Sequence, residues 1–207
     1  MKVILWDWDN TLADTIDPIW QAFNATFKHF NMPTITREQM KIYMNSAGSQ
    51  LFLQLFSDKD LNEVRQVYLK HYKENIFDLK LLPNAKEILK WTKDHGYINI
   101  VASNKHYLIL RQEVETAGLK EYFSDICGAE EFPENKPSKV FTDGALGKYK
   151  NFDELFVVGD GLSDVKMAHN YPDGKAILVG TTPKAAEFTD NPPDFWVPNL
   201  KEIQKIL

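Results

Sequence analysis

Short apolar runs alternate along this chain with stretches whose apolar positions recur every three or four residues. The runs are VILW at 3–6, INIVA at 98–102, LFVVG at 155–159 and AILVG at 176–180. They are nearly unbroken rather than alternating, the pattern of strands buried on both faces of a parallel sheet. SDIC at 124–127 is a weaker strand signal, and FWV at 195–197 predicts a short edge strand. Between the runs, Asn84 precedes a helical pattern of Ala85, Ile88, Leu89 and Thr92 that stops at Gly96. A second helix covers about 107–117 and stops at Gly118. Strand and helix in alternation imply right-handed crossovers, hence an α/β fold with a Rossmann-like parallel sheet and helices on both faces.

One region breaks the alternation. From Asp14 onward Ile19, Phe23 and Phe27 recur at helical spacing, Thr36 and Gln39 form a capping-box pattern, and Leu61, Val64, Tyr68 and Tyr72 mark a third helix capped by Ser57 or Asp58. A crossover needs only a dozen or so residues. The excess predicts an inserted all-α domain at residues 14–81, with the α/β core built from 1–13 and 82–207. The aromatic stripes of the insert read as its own core.

Composition narrows the function class. The 207 residues carry 24 Lys+Arg against 29 Asp+Glu, a net charge of −5. This balance argues against a nucleic-acid binder, which needs a basic face. No apolar run approaches the roughly 20 residues of a membrane span, and Asp7 interrupts the N-terminal run too early for a signal peptide. A single cysteine, Cys127, excludes an internal disulfide and fits a reducing, cytoplasmic setting. The five histidines show no metal-ligand spacing.

Four segments fall at the C-terminal ends of predicted strands, where open α/β sheets place ligands. DWDNTL at 7–12 sets Asp7 and Asp9 on one side of an extended chain, where two carboxylates repel unless a cation, a proton or hydrogen bonds intervene. Ser103 and Asn104 offer a hydroxyl and backbone N–H groups to phosphoryl oxygens. Lys136 supplies a point charge. GDGLSD at 159–164 combines glycines that permit a tight turn with Asp160 and Asp164, hard oxygen donors that suit Mg²⁺. Each segment alone has a plain reading as a turn, a cap or a surface lysine. Their order around one sheet is specific.

That order resembles the haloacid dehalogenase-like (HAD) superfamily, closest to its phosphoglycolate phosphatase-like branch, over the whole chain. The insert is similar to that family's α-helical cap. Departures are Asn10 where the family most often has Gly, Lys139 where a second Pro often follows the Lys-Pro pair, and HNYPDG at 169–174 where relatives have a shorter turn. The resemblance implies a Mg²⁺-dependent phosphatase acting on a small phosphorylated metabolite, as a monomer or homodimer. It implies Asp7 as nucleophile and Asp9 as general acid and base. The ion would be held by Asp7, the Asp9 carbonyl and Asp160, with Asp164 in support. Ser103, Asn104 and Lys136 would bind the phosphoryl group, and Asn45, Ser46, Gly48 and Gln50 would form a cap specificity loop. A phosphomutase of the same family is the alternative. Outside catalysis, so is a phospho-accepting or non-catalytic phosphate-binding relative. A dehalogenase is disfavoured because it needs neither the acid at Asp9 nor a metal site.

Overall fold

The computed structural model describes residues 1–47, 51–74, 79–180 and 188–207. In chain order, the elements before the second core strand are β1 (Lys2–Trp6), β2 (Ala13–Asp14), α1 (Ile16–His29), α2 (Arg37–Ala47), α3 (Leu51–Leu55), α4 (Leu61–Glu74), β3 (Lys80–Leu81) and α5 (Ala85–Asp94). They are followed by β4 (Tyr97–His106), α6 (Tyr107–Thr116), β5 (Asp125–Ala129), α7 (Lys139–Leu146), β6 (Glu154–Gly159), α8 (Leu162–Ala168), β7 (Gly174–Val179) and β8 (Phe195–Val197). None of the described helices is long and apolar enough to cross a membrane.

Among the described residues the main sheet runs β5-β4-β1-β6-β7-β8, and every neighbouring pair is parallel. The chain builds outward from β1 on one side through β4 and β5, then on the other through β6, β7 and β8. Right-handed crossovers in opposite directions place their helices on opposite faces. The strand residues divide accordingly with period two. Val3, Leu5, Ile100, Ala102, Leu155, Val157, Ala176 and Leu178 pack with Phe141 and Leu146 of α7 and Val165 and Met167 of α8. On alternate positions, the Trp6 indole and the Thr92 hydroxyl of α5 both donate to Asn99 Oδ1 of β4, at 2.9 and 3.0 Å. This topology leaves β1 at the reversal of strand order, flanked by β4 and β6, and their C-terminal ends form a crevice.

The chain divides into two compact units, Met1–Ala13 with Leu81–Leu207, and Asp14–Lys80. In the second, Phe23 and Phe27 of α1 meet Phe56 and Tyr68. Phe23 and Tyr68 have ring centroids 4.7 Å apart, Phe27 and Phe56 4.9 Å. Burial of these rings holds its helices. The capping box forms as read: Thr36 N donates to Gln39 Oε1 at 2.8 Å, and Gln39 N to Thr36 Oγ1 at 3.2 Å. The α4 cap does not. Asp60 Oδ1 accepts from Asn62 N at 2.8 Å, while Asp58 instead pairs with Lys59. Asn84 also differs from the sequence reading: its side chain makes no capping bond, and it serves by adopting a left-handed φ of 66°. The two-residue strands β2 and β3, which pair where the chain leaves and re-enters the core, carry no periodic signal in the sequence.

Candidate active site

Four loops meet at the crevice. Asp7 follows the last residue of β1, and its backbone N–H still donates to the Val158 carbonyl of β6 at 2.8 Å. The next residues turn sharply: the Trp8 carbonyl accepts from Leu12 and Ala13 N–H at 3.0 Å each, and Asn10 sits at φ 57°. Asparagine tolerates that left-handed conformation, which explains how it replaces glycine here.

Asp160 follows the last residue of β6, and Asp164 lies in the first turn of α8. One carboxylate oxygen from each of Asp7, Asp160 and Asp164 lies within 4.8 Å of the others. Lys136, in the loop between β5 and α7, sends its ammonium between them. Its Nζ lies 2.6 Å from Asp7 Oδ1, 2.7 Å from Asp164 Oδ1 and 3.1 Å from the Ala102 carbonyl. Two buried carboxylates thus share one buried lysine. Asp164 also accepts from Gly161 N at 3.2 Å, so it caps α8 as it faces the lysine. Neither Gly159 nor Gly161 sits at positive φ. The tight-turn reading of these glycines gives way to one of space, since Asp164 packs against the Gly159 Cα.

The electrostatics follow from crowding. Burial, with the neighbouring Asp164 and Asp9 charges, pushes the Asp7 carboxyl up to about 7 against the opposing pull of Lys136. Burial, with Asp7 and Asp164, holds Asp160 well above the usual carboxylate range. Lys136 loses by burial but gains more from Asp164 and Asp7, and stays above its ordinary value. With all three acids ionised, one ammonium leaves two negative charges uncompensated. Hard oxygen donors in excess of their counter-charge are the donor set that a small divalent cation such as Mg²⁺ fits.

On the opposite side of β1, β4 ends irregularly, and its register against β5 shifts between Ala102 and His106. Such a bulge re-aims side chains. Ser103 is buried, and its Oγ accepts from Lys105 N at 3.1 Å. Asn104 Nδ2 donates to the Lys136 carbonyl at 3.2 Å, and its Oδ1 is buried without a hydrogen-bond partner. The Asp9 carboxylate is not part of the three-acid group. Its Oδ1 lies 2.7 Å from Lys105 Nζ. Lys105 also contacts Glu113 Oε1 and Oε2 of α6 at 3.0 and 2.8 Å, and Trp8 Nε1 donates to Glu113 Oε2 at 2.6 Å.

The structure therefore brings Lys136 into contact with Asp7 and Asp164, places Asp160 in one acidic group with them, and sets Ser103, Asn104 and Asp9 around them. Asn45 and Ser46 fall in the last turn of α2, while Gly48 and Gln50 lie outside the described residues. Sequence reading missed Lys105, Glu113 and Asn170. Glu113 carried a signal, since it falls in the buried stripe of α6 with Ile109, Leu110 and Val114. Asn170 lies in the extended 169–174 stretch, and its Nδ2 donates to the Pro137 carbonyl and Thr142 Oγ1, both at 2.9 Å, bracing the Lys136 loop.

The chain is similar in sequence and fold to known proteins. The chain is 25% identical over 219 aligned positions to a phosphoglycolate phosphatase of Vibrio parahaemolyticus, covering 100% of this chain and 96% of the relative. It is 26% identical over 211 positions to a phosphoglycolate phosphatase of Aquifex aeolicus, covering 100% and 97%. Among solved structures, a haloacid dehalogenase-like family hydrolase from Streptococcus pneumoniae superposes with a TM-score of 0.83 at 22% identity, over 100% of this chain and 98% of that one. The family model for haloacid dehalogenase-like hydrolases matches residues 4–172, a span that runs from β1 through α8 and takes in all four site loops, and the chain belongs to that family.

Proposed function

We propose that this hydrolase is a Mg²⁺-dependent phosphatase that cleaves a small phosphate monoester through an aspartyl-phosphate on Asp7. The observation that carries the reading is the placement of Asp7 against a buried ammonium that it shares with Asp164, in one group with Asp160, at the C-terminal end of the central strand. The phosphoglycolate phosphatase relatives support a phosphate ester as substrate.

Asp7, Asp160 and Asp164, with the Asp9 backbone carbonyl, are the groups that would hold the ion. When bound, Mg²⁺ supplies the positive charge that lets a dianionic ester approach so many carboxylates. The rest is the work of the chain's own residues. An Asp7 carboxylate oxygen attacks phosphorus in line, the new O–P bond forms, and the bond from phosphorus to the ester oxygen breaks. Asp9 delivers its proton to that departing oxygen. Water then attacks the phosphorus of the aspartyl-phosphate and gives its proton to Asp9, so inorganic phosphate leaves and Asp7 is restored. Lys136 orients Asp7 and, with Ser103 Oγ and the Asn104 backbone N–H, faces the phosphoryl oxygens. The helical unit, inserted in sequence between the Asp7 loop and α5, is assigned to leaving-group recognition, with Asn45, Ser46, Gly48 and Gln50 as its specificity loop.

The test is a panel of phosphate monoesters assayed for inorganic phosphate with Mg²⁺ and with EDTA. The expected result is Mg²⁺-dependent phosphate release that Asp7→Asn abolishes and Asp9→Asn nearly abolishes. Turnover by Asp7→Asn near the wild-type rate would falsify the reading. Conversion of substrate with little free phosphate would instead identify a mutase.

A further inference from the structure

The buried network beside Asp9 serves none of the steps just described, yet it is built at some cost. The Lys105 side chain is 6% exposed and that of Glu113 is fully buried. Burying such an ion pair is often no better for stability than packing apolar groups in its place. This pair is placed to do something else. Both carboxylate oxygens of Glu113 grip the Lys105 ammonium, and the buried Trp8 indole N–H donates to one of them, Oε2. The ammonium reaches Asp9 Oδ1 from this fixed position. Trp8 lies between Asp7 and Asp9 in the chain, and Ser103 Oγ holds the Lys105 backbone. The network is thus anchored to two site loops at once.

We propose that Lys105, clamped by Glu113 and Trp8, is the positioning residue for Asp9: it fixes the rotation of that carboxylate so that its other oxygen faces the ester oxygen and, later, the attacking water. The inference rests on the acid–base role assigned to Asp9. It predicts a loss concentrated in proton transfer. An alkyl ester needs a proton on its departing oxygen, whereas p-nitrophenolate leaves readily without one. The steady-state kcat/KM covers the steps up to departure of the leaving group, so it isolates this difference.

The experiment compares kcat/KM, with Mg²⁺ present, for p-nitrophenyl phosphate and for the best alkyl phosphate of the substrate panel. Lys105→Met is expected to lose about 100-fold on the alkyl ester, the scale of a positioned general acid, and under about 10-fold on the aryl ester. The double variant Lys105→Met with Asp9→Asn should be no worse than Asp9→Asn alone, because the lysine acts only through that carboxylate. Should Lys105→Met fail to fold, Trp8→Phe removes the indole donor to Glu113, leaves Lys105 and Glu113 in place at the cost of a small cavity, and should show a smaller loss of the same selectivity. Equal losses on both esters, or losses that add to those of Asp9→Asn, would overturn the proposal and leave Lys105 a structural ion pair. If Asp9→Asn itself spares the alkyl ester, the acid–base reading fails, and this inference with it.

Discussion

The Asp164 side chain occupies the space that a side chain on Gly159 would need: an added Cβ would lie 2.1 Å from Asp164 Cγ. The glycine at the end of β6 is therefore set by the approach of a carboxylate and not by a special backbone angle. Gly159→Ala should push Asp164 away from Lys136, at a cost of about 1–3 kcal/mol in stability for the overpacking. The loss in turnover should be larger, on the order of 100-fold, because the displaced group orients the reacting ones. Steady-state kinetics with circular dichroism melting checks both, and a variant with wild-type kcat would show that Asp164 is not needed where it stands.

Lys136 is the cation that Asp7 and Asp164 share, and its removal leaves buried carboxylates facing each other. Breaking such an arrangement costs about 3–5 kcal/mol. In a chain this size that lowers Tm by on the order of 10 °C. Lys136→Met is expected to show that fall together with loss of activity. Lys136→Arg should not restore activity, because a planar guanidinium cannot place one point charge between two carboxylates and a backbone carbonyl. Full activity in the arginine variant would argue that only charge matters at this position.

Asp7, Ser103, Asp160 and Asp164 could be picked from the sequence because each sits in a short motif directly after a strand or a strand-like run, and Lys136 because it stands in the loop that follows another; topology alone then carries those ends to one crevice. Lys105 could not. Nothing local separates a buried lysine from an exposed one, and its burial depends on Glu113 and on a register shift visible only once β4 pairs with β5. Asn170 was hidden likewise, because its partners Pro137 and Thr142 lie on another loop and helix. The α4 cap went to Asp60 rather than Ser57 or Asp58 because three capping residues within four positions offered competing starts, and apolar periodicity alone does not choose among them.

Cys127 makes the stability of the fold sensitive to alkali. Burial, helped by Asp125 and Glu131, pushes its thiol up to about 12. The unfolded thiol ionises near its ordinary value of about 8.5. Above that value the unfolded chain gives up a proton that the folded chain keeps, so stability falls as pH rises. Lys105 and Lys136 act in the same direction, but only above the ordinary lysine range, since their raised values keep them charged in the folded state. Between about pH 8.5 and 10 the lysines stay charged in both states, and the cysteine contribution, read as the difference between wild type and Cys127→Ala, should reach about 1–2 kcal/mol. Melting curves across that window should show a falling Tm for the wild type and a flatter profile for Cys127→Ala. Parallel profiles would mean that the thiol ionises without unfolding.

The crowding of Asp7, Asp160 and Asp164 is itself a prediction about metal and stability. Like charges about 4 Å apart at an effective dielectric near 20 repel by about 4 kcal/mol, and one lysine offsets only part of this. Asp160 has no ammonium within ion-pair distance among the described contacts of the trio, so it is the carboxylate whose charge the fold can best do without. Asp160→Asn keeps the shape and removes that charge, and without divalent ions it should melt several degrees above the wild type. With Mg²⁺ the order should reverse. A ligand at a hundred times its dissociation constant adds about 2.7 kcal/mol to the folded state. That is worth roughly 5–10 °C to the wild type and much less to a variant lacking one of the three acids. EDTA should return the wild type to its lower value. If Asp160→Asn melts below the wild type in EDTA, the Asp160 carboxylate contributes to the fold directly, and the crowded acids cannot be read as a site held open for a cation.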